Sequence, residues 1–402
     1  MDDDDEKIEF IEYDDEEGEE ALEQASSPSD KKLELEYEAG RFRVMQDRND
    51  FFLPHVVDFI KGRQWGNLNP EYQRRLRWNN EKKSKLIESY LMNVPVPPVF
   101  LYDGASSKLE VLDGQQRINS IVEFLSGGFE LEKLKIWPSL NGRTFSKLPP
   151  ALKRGLNRAK LSAITLITEP IKTHEGEIDL RAQVFERLNT GGEKLNLQEL
   201  RNCLYSGPFN RLIVELSGLR SFTDAWEIPS REEHTLSDGT YDDHLKNNKL
   251  FSTMSDCQIV LRFFAFRDTQ FVAGSTKQIL DSCMNRLRRL DETAIDHLRV
   301  RFINVLDAAL AILGPKAFRT DGVSKEGRLS RPLFDAEMIA IDRLLEHKEA
   351  LISKRANVIA EIGKLTASGT KSYEMIIGRP NTAAAIKARI DLVEKVMRDA
   401  IS

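Results

Sequence analysis

The 402-residue chain is predicted to be an α+β protein, with a mixed α/β head followed by an all-helical domain. Two observations predict it. Up to about residue 177, short apolar strands bounded by Pro, Gly and Asp turns alternate with amphipathic helical patterns; from about 178 onward only the helical period recurs. Mixed elements followed by helices alone indicate an α+β architecture or two separate domains. Hydrophobic residues make up 41%, enough for real cores, and a chain of this length suggests two or three domains of ~100–200 residues. The expected division is an acidic tail over 1–40, the α/β domain over 41–177 and the helical domain over 178–402.

The first forty residues hold 18 Asp and Glu against 3 Lys, a local charge of −15. Few apolar groups and much like charge argue for disorder there. The rest of the chain carries 55 Lys and Arg against 46 Asp and Glu, so an acidic tail joins a body of charge +9. Such a body can attract phosphate backbones through counterion release, or it can simply be solvated. The tail likewise has two readings, a solubilising extension or a mimic of nucleic acid that screens the body.

Within the head, residues 41–45 alternate like a strand, and 51–61 carry Val56, Val57 and Ile60 at helical spacing. Residues 67–73 are extended around Pro70. Residues 81–92 form a helix with Leu86, Ile87, Tyr90 and Leu91 as its apolar stripe, ended by the Pro-rich 95–98. Strands follow at 99–102 and 109–112, joined by a turn-rich link. Residues 116–125 form a helix with Ile118, Ile121, Val122 and Leu125 on one face, closed by Gly127-Gly128, and 164–168 form a further strand. Helices are then expected at 179–188, 197–205, 209–216, 255–266, 276–290, 293–313, 332–347 and 382–400, with a polar loop at 227–249.

Cys203, Cys257 and Cys283 are odd in number, far apart and without a C-x-x-C pair, which speaks against a disulfide framework or a structural zinc site. No apolar run reaches the ~18 residues a membrane helix needs, and an acidic N-terminus is unlike a secretory signal. The expectation is a cytoplasmic protein with no membrane partner.

The stretch richest in chemistry is Val111-Leu112-Asp113-Gly114-Gln115-Gln116-Arg117-Ile118. A strand that turns at Asp-Gly straight into a helix gathers unpaired backbone N–H groups and the positive end of the helix dipole at one point, where anions bind. Gly114 lets a ligand approach the backbone closely. Arg117 can grip a phosphate in bidentate fashion. Gln115 and Gln116 can hydrogen-bond a phosphate, a ribose or a water, and Asp113 can hold Mg²⁺ or orient a water. The plainer alternative is a turn and helix start with Arg117 as a surface charge. Arginine in a first helical turn opposes the dipole, however, so something must offset it.

These residues also carry a resemblance. Asn69-Pro70-Glu71-Tyr72-Gln73-Arg74, Trp78, Leu86-Ile87-Glu88-Ser89, the segment 94–99 and Val111 to Arg117 stand in the order found in the N-terminal domain of GmrSD-type restriction endonucleases and the related SspE defence proteins. Phe185-Glu186-Arg187-Leu188-Asn189-Thr190-Gly191-Gly192 and 195–202 continue the match. The resemblance implies a ParB/sulfiredoxin-like fold and nucleoside triphosphate binding, often with hydrolysis, in the recognition of modified phage DNA. It implies Asp113, Gly114, Gln115, Gln116 and Arg117 as the nucleotide motif. Gln73, Arg74, Arg187 and Asn189 become further nucleotide contacts, and Asp113 a metal ligand. For Asn189 a purely structural helix–turn–helix corner is the equal alternative.

Other chemistry is sparse. The six histidines form no His-Asn-His nuclease pattern, and no P-loop occurs. Asp242-Asp243-His244 with His234 is the nearest metal-like cluster. Phe263, Phe264 and Phe266 beside Arg262 and Arg267 read as core rather than as a base-stacking platform. Arg286 to Arg289 and Arg299 to Arg301 are candidate phosphate-facing surfaces. The expected function is a nucleotide-binding, NTP-hydrolysing sensor of an anti-phage restriction system, with DNA and a separate nuclease as partners. The alternative is a non-catalytic ParB-like module that uses nucleotide as a structural ligand.

Overall fold

A computed structural model describes residues 29–38, 45–62, 78–103, 109–167, 171–173, 176–178, 196–205, 207–236, 241–320, 327–367, 369–377 and 382–402. It divides into two compact units, one spanning Ala25–Asn196 and one containing Leu197–Ser402. Mixed α/β structure lies in the first and helices dominate the second, as the α+β prediction requires.

The elements of the first unit are α1 (Asp30–Glu38), β1 (Met45–Phe52), α2 (Leu53–Lys61), α3 (Asn80–Leu91), β2 (Val99–Asp103), β3 (Glu110–Asp113), α4 (Gln115–Leu125), α5 (Pro150–Arg158) and β4 (Lys160–Ile167). A small hairpin, β5 (Ile171–Thr173) with β6 (Gly176–Ile178), follows. The main sheet has the order β1-β4-β2-β3. Strand β4 runs antiparallel to β1 and parallel to β2, and β2 pairs antiparallel with β3. Helices α2, α3, α4 and α5 pack on one another, and α2 also on the sheet. Leu53 and Val56 of α2, Leu86, Ile87 and Tyr90 of α3, Ile118, Ile121 and Phe124 of α4, and Val99, Leu101, Leu161 and Ala163 of the sheet share one core. Each large apolar side chain so buried contributes ~1.5–3 kcal/mol, which is what makes these short helices stable.

The first strand differs from its prediction. Among the described residues it runs over 45–52, the expected positions 41–44 lying outside them, and the following helix begins at Leu53 rather than 51. Its side chains are nearly all exposed, and Asp47, Arg48, Asn49 and Asp50 fill its middle, so no alternation of apolar and polar residues marks it. Its ladder with β4 defines it instead, and Pro54 in the first turn of α2 fixes where the chain becomes helical.

In the second unit the principal helices are α6 (Leu197–Leu204), α7 (Pro208–Leu216), α8 (Ser255–Arg267), α9 (Thr276–Leu287), α10 (Glu292–Leu313), α11 (Arg331–Arg343), α12 (Arg355–Thr366) and α13 (Ala383–Ile401). Two departures from expectation occur. A two-residue hairpin, β7 (Arg319–Thr320) with β8 (Arg328–Leu329), shows that strands do not end at 178. The polar segment 227–249 contains the short helix Asp243–Asn247, started by the Asp242 side chain accepting from the Leu245 N–H at 3.0 Å. Phe263, Phe264 and Phe266 are all buried, and Phe263 and Phe264 both pack on Phe302, so these rings are core as predicted. Arg262 beside them is buried as well, with its Nε 3.0 Å and its Nη2 2.6 Å from the Asp335 carboxylate on α11.

The candidate phosphate-facing arginines are largely committed within this unit. Arg299 pairs with Glu215 at 2.8 Å and with Asp296, Arg301 pairs with Asp342, and Arg286 lies 4.0 Å over the Phe271 ring. Among the described residues, no helix is long and apolar enough to cross a membrane.

Candidate functional site

Strand β3 ends at Asp113, Gly114 takes the left-handed conformation with φ 92° and ψ 11°, and α4 starts at the next residue. A side chain at Gly114 would set its Cβ 2.3 Å from Val99 Cγ1 and 2.8 Å from Val99 Cβ. The close approach of β2 and the backbone sign thus both require glycine. Helix α4 sits firmly because Ile118, Ile121 and Phe124 are buried. No side chain caps its N-terminus. The Ile118 N–H reaches Gly114 O at 3.0 Å, while the first-turn N–H groups before it receive no side-chain acceptor.

Arg117 lies beside this helix start. Its Nη2 donates to Asp113 Oδ2 at 2.6 Å and to Pro98 O at 3.2 Å. Asp113 therefore supplies the charge that offsets an arginine in a first helical turn. Arg117 is the more enclosed partner, with a side chain 16% exposed against 40% for Asp113. Its Nε is buried without a hydrogen-bond partner. The two candidate groups that the sequence analysis gave separate roles thus meet in one ion pair, and one oxygen of Asp113 is engaged by it.

Gln116 is divided between structure and site. Its Oε1 accepts from the Trp78 N–H at 3.1 Å, holding the chain just before α3, and its carbonyl accepts from Ser120 Oγ at 2.6 Å. Gln115 is half-buried at the start of the helix. Gln73, Arg74, Arg187 and Asn189 lie outside the described residues.

Sequence reasoning missed Tyr90. It was placed only in the apolar stripe of α3, yet its hydroxyl is buried with no hydrogen-bond partner. Burial pushes the phenol well above its usual range, and the nearby Arg117 charge opposes that rise. The available signal was a tyrosine where phenylalanine would have filled the same stripe, since a buried phenol normally needs a partner.

The His234, Asp242 and His244 cluster does come together. His234 Nδ1 lies 2.8 Å from Asp242 Oδ2, and the two imidazole centroids are 4.9 Å apart. The hydrogen bond to His234 holds the Asp242 carboxyl below its ordinary range. Among the described residues, no group of three His, Cys, Asp or Glu side chains is arranged to hold a metal ion. Cys257 and Cys283 are buried thiols, and burial pushes the Cys283 thiol up to about 12, far from a reactive thiolate.

Fold and corner define an α+β domain whose strand–helix turn has no side-chain cap, followed by a helical unit. Residues 56–206 match the family model of the GmrSD restriction endonuclease, N-terminal domain. No curated protein and no solved structure matches the chain.

Proposed function

We propose that the first unit binds a nucleoside triphosphate where β3 passes into α4, and that the chain serves a modification-dependent restriction system as its nucleotide-hydrolysing sensor. The observation that carries this reading is the uncapped N-terminus of α4 behind left-handed Gly114, with Arg117 fixed beside it. Backbone N–H groups and a guanidinium on one corner suit a polyphosphate. Gly114 supplies the left-handed turn that starts the helix, Arg117 supplies charge, and Gln115 and Gln116 supply amides for phosphate, ribose or water. Mg²⁺ is commonly held by one carboxylate together with substrate phosphates, and the second oxygen of Asp113 suits that role. Bound Mg²⁺ would balance phosphate charge; Gln115, Gln116 and Arg117 would orient the attacking water and steady the developing charge. Gln73, Arg74, Arg187 and Asn189 complete the proposed contacts by family position. The sensor works in the cytoplasm on DNA, with cleavage supplied by a separate nuclease.

One observation favours a second reading. The Asp113 carboxylate is already bound to Arg117, which weakens it as a base or metal ligand. A ParB-like module that keeps nucleotide as a structural ligand would need no free carboxylate there. Phosphate release from ATP, GTP, CTP and UTP, measured with and without phage DNA, separates the two. Release stimulated by DNA supports the sensor. Tight nucleotide binding without release supports the module, and neither binding nor release refutes both.

A further inference from the structure

We infer that Tyr90 is a ligand-binding residue of this corner, its hydroxyl donating a hydrogen bond to a phosphate oxygen held beside Arg117. The inference rests on the nucleotide reading above and adds a residue from a different helix to it.

Tyr90 is only 9% exposed and belongs to the same core as Val99, Ile118 and Ile121, on a helix that packs against α4. The buried polar groups around it on α3 are satisfied inside the protein. Lys83 binds Glu123 at 3.0 Å, Ser84 Oγ accepts from the Glu132 N–H at 2.9 Å, and Glu88 Oε1 accepts from the Trp137 N–H at 2.8 Å. Tyr90 alone departs from this pattern on that helix, with a buried hydroxyl that has no partner. The nearby Arg117 Nε is in the same state. Leaving a buried donor unpaired is unfavourable, and phenylalanine would fill the space without that penalty.

The chemistry of the unpaired groups names their complement. The Tyr90 hydroxyl, the Arg117 Nε–H and the first-turn N–H groups of α4 are all able to donate. Asp113 Oδ2 and Pro98 O already accept from Arg117 Nη2. A set of unpaired donors beside a guanidinium calls for an acceptor-rich anion, and phosphate supplies several oxygens at once.

The test compares the full chain with its Tyr90→Phe variant, which keeps the ring and its packing. Two quantities are read: the melting temperature without ligand, and the affinity for β,γ-imido analogues of the four ribonucleoside triphosphates. The expected result is a melting temperature equal to or above the parent's, together with about ten-fold weaker binding of the analogue the parent prefers. Equal affinity in parent and variant would overturn the role of Tyr90 and leave the nucleotide site standing, the hydroxyl then being served by water alone. A lower melting temperature in the variant would show the hydroxyl bonded within the protein and overturn the inference in the same way. Failure of the parent to bind any of the four analogues would instead remove the nucleotide reading and the Tyr90 role with it.

Discussion

Replacing Gly114 by alanine tests whether the strand–helix corner is built as described. Two separable costs arise. An L-residue at φ 92° sits in the left-handed region, which is unfavourable by ~1–2 kcal/mol. The new methyl would also lie 2.3 Å from Val99 Cγ1, on a valine that is fully buried at the start of β2. Forcing a methyl into such a packed contact adds ~1–3 kcal/mol. Together the loss is about 2–5 kcal/mol, a large fraction of the ~5–15 kcal/mol that stabilises a domain. Hydrogen exchange read by mass spectrometry on peptides from β2 and α4 localises the loss, and urea unfolding of the full chain measures it. A double variant, Gly114→Ala with Val99→Ala, separates the terms. It removes the contact with Val99 Cγ1 but keeps the 2.8 Å contact with Val99 Cβ and the backbone strain, so it should be less destabilised than the two single effects added, by about 1 kcal/mol. A Gly114→Ala chain within ~0.5 kcal/mol of the parent would refute both the left-handed turn and the close approach of Val99.

Other outcomes follow from the second unit. Removing the Asp335 carboxylate by Asp335→Ala strands the Arg262 guanidinium, which is 2% exposed, and should cost ~3–5 kcal/mol in urea unfolding. The combined Arg262→Met, Asp335→Leu chain should recover most of that loss, because no charge is then buried alone. Glu337 is fully buried and pushed up to about 8 by desolvation, against an ordinary 4.5, while its Oε2 accepts from the Phe318 N–H at 2.8 Å. Folding therefore favours its neutral form. Its effect on stability is nil below pH 4.5 and grows unfavourable between 4.5 and about 8, because only the unfolded chain has released the proton. Glu337→Gln should remove this slope of about 1.4 kcal/mol per pH unit, so that parent and variant diverge as pH rises to 8. Parallel stability–pH curves for the two would contradict the burial of a neutral carboxyl there.

The pattern of what could be read in advance has physical causes. Helix α4 was legible because Ile118 and Ile121 recur at helical spacing and Asp-Gly marks its start; β2 was legible because a short apolar run lies between a Pro-rich segment and a turn. Edge strand β1 was not, since its side chains face solvent and its only signature is the ladder with β4. The Arg262–Asp335 pair joins residues 73 apart, a contact that no local pattern encodes. At the site, the backbone device of Gly114 was visible in the sequence. The ion pair of Asp113 with Arg117 was not, although their spacing of four permits it, because the left-handed turn between them decides where each side chain goes. Tyr90 stayed hidden because periodicity reports the ring and says nothing of the hydroxyl.

The most direct measurement is an equilibrium titration of nucleoside triphosphate into the full chain and into Arg117→Ala and Arg117→Lys, each verified as folded by circular dichroism. A phosphate site at the start of α4 predicts saturable binding by the parent, a loss of at least about a hundred-fold in Arg117→Ala, and an intermediate value in Arg117→Lys, which keeps the charge but not the fork. A parent that binds and an Arg117→Ala chain that binds equally well would place any nucleotide elsewhere and contradict the account.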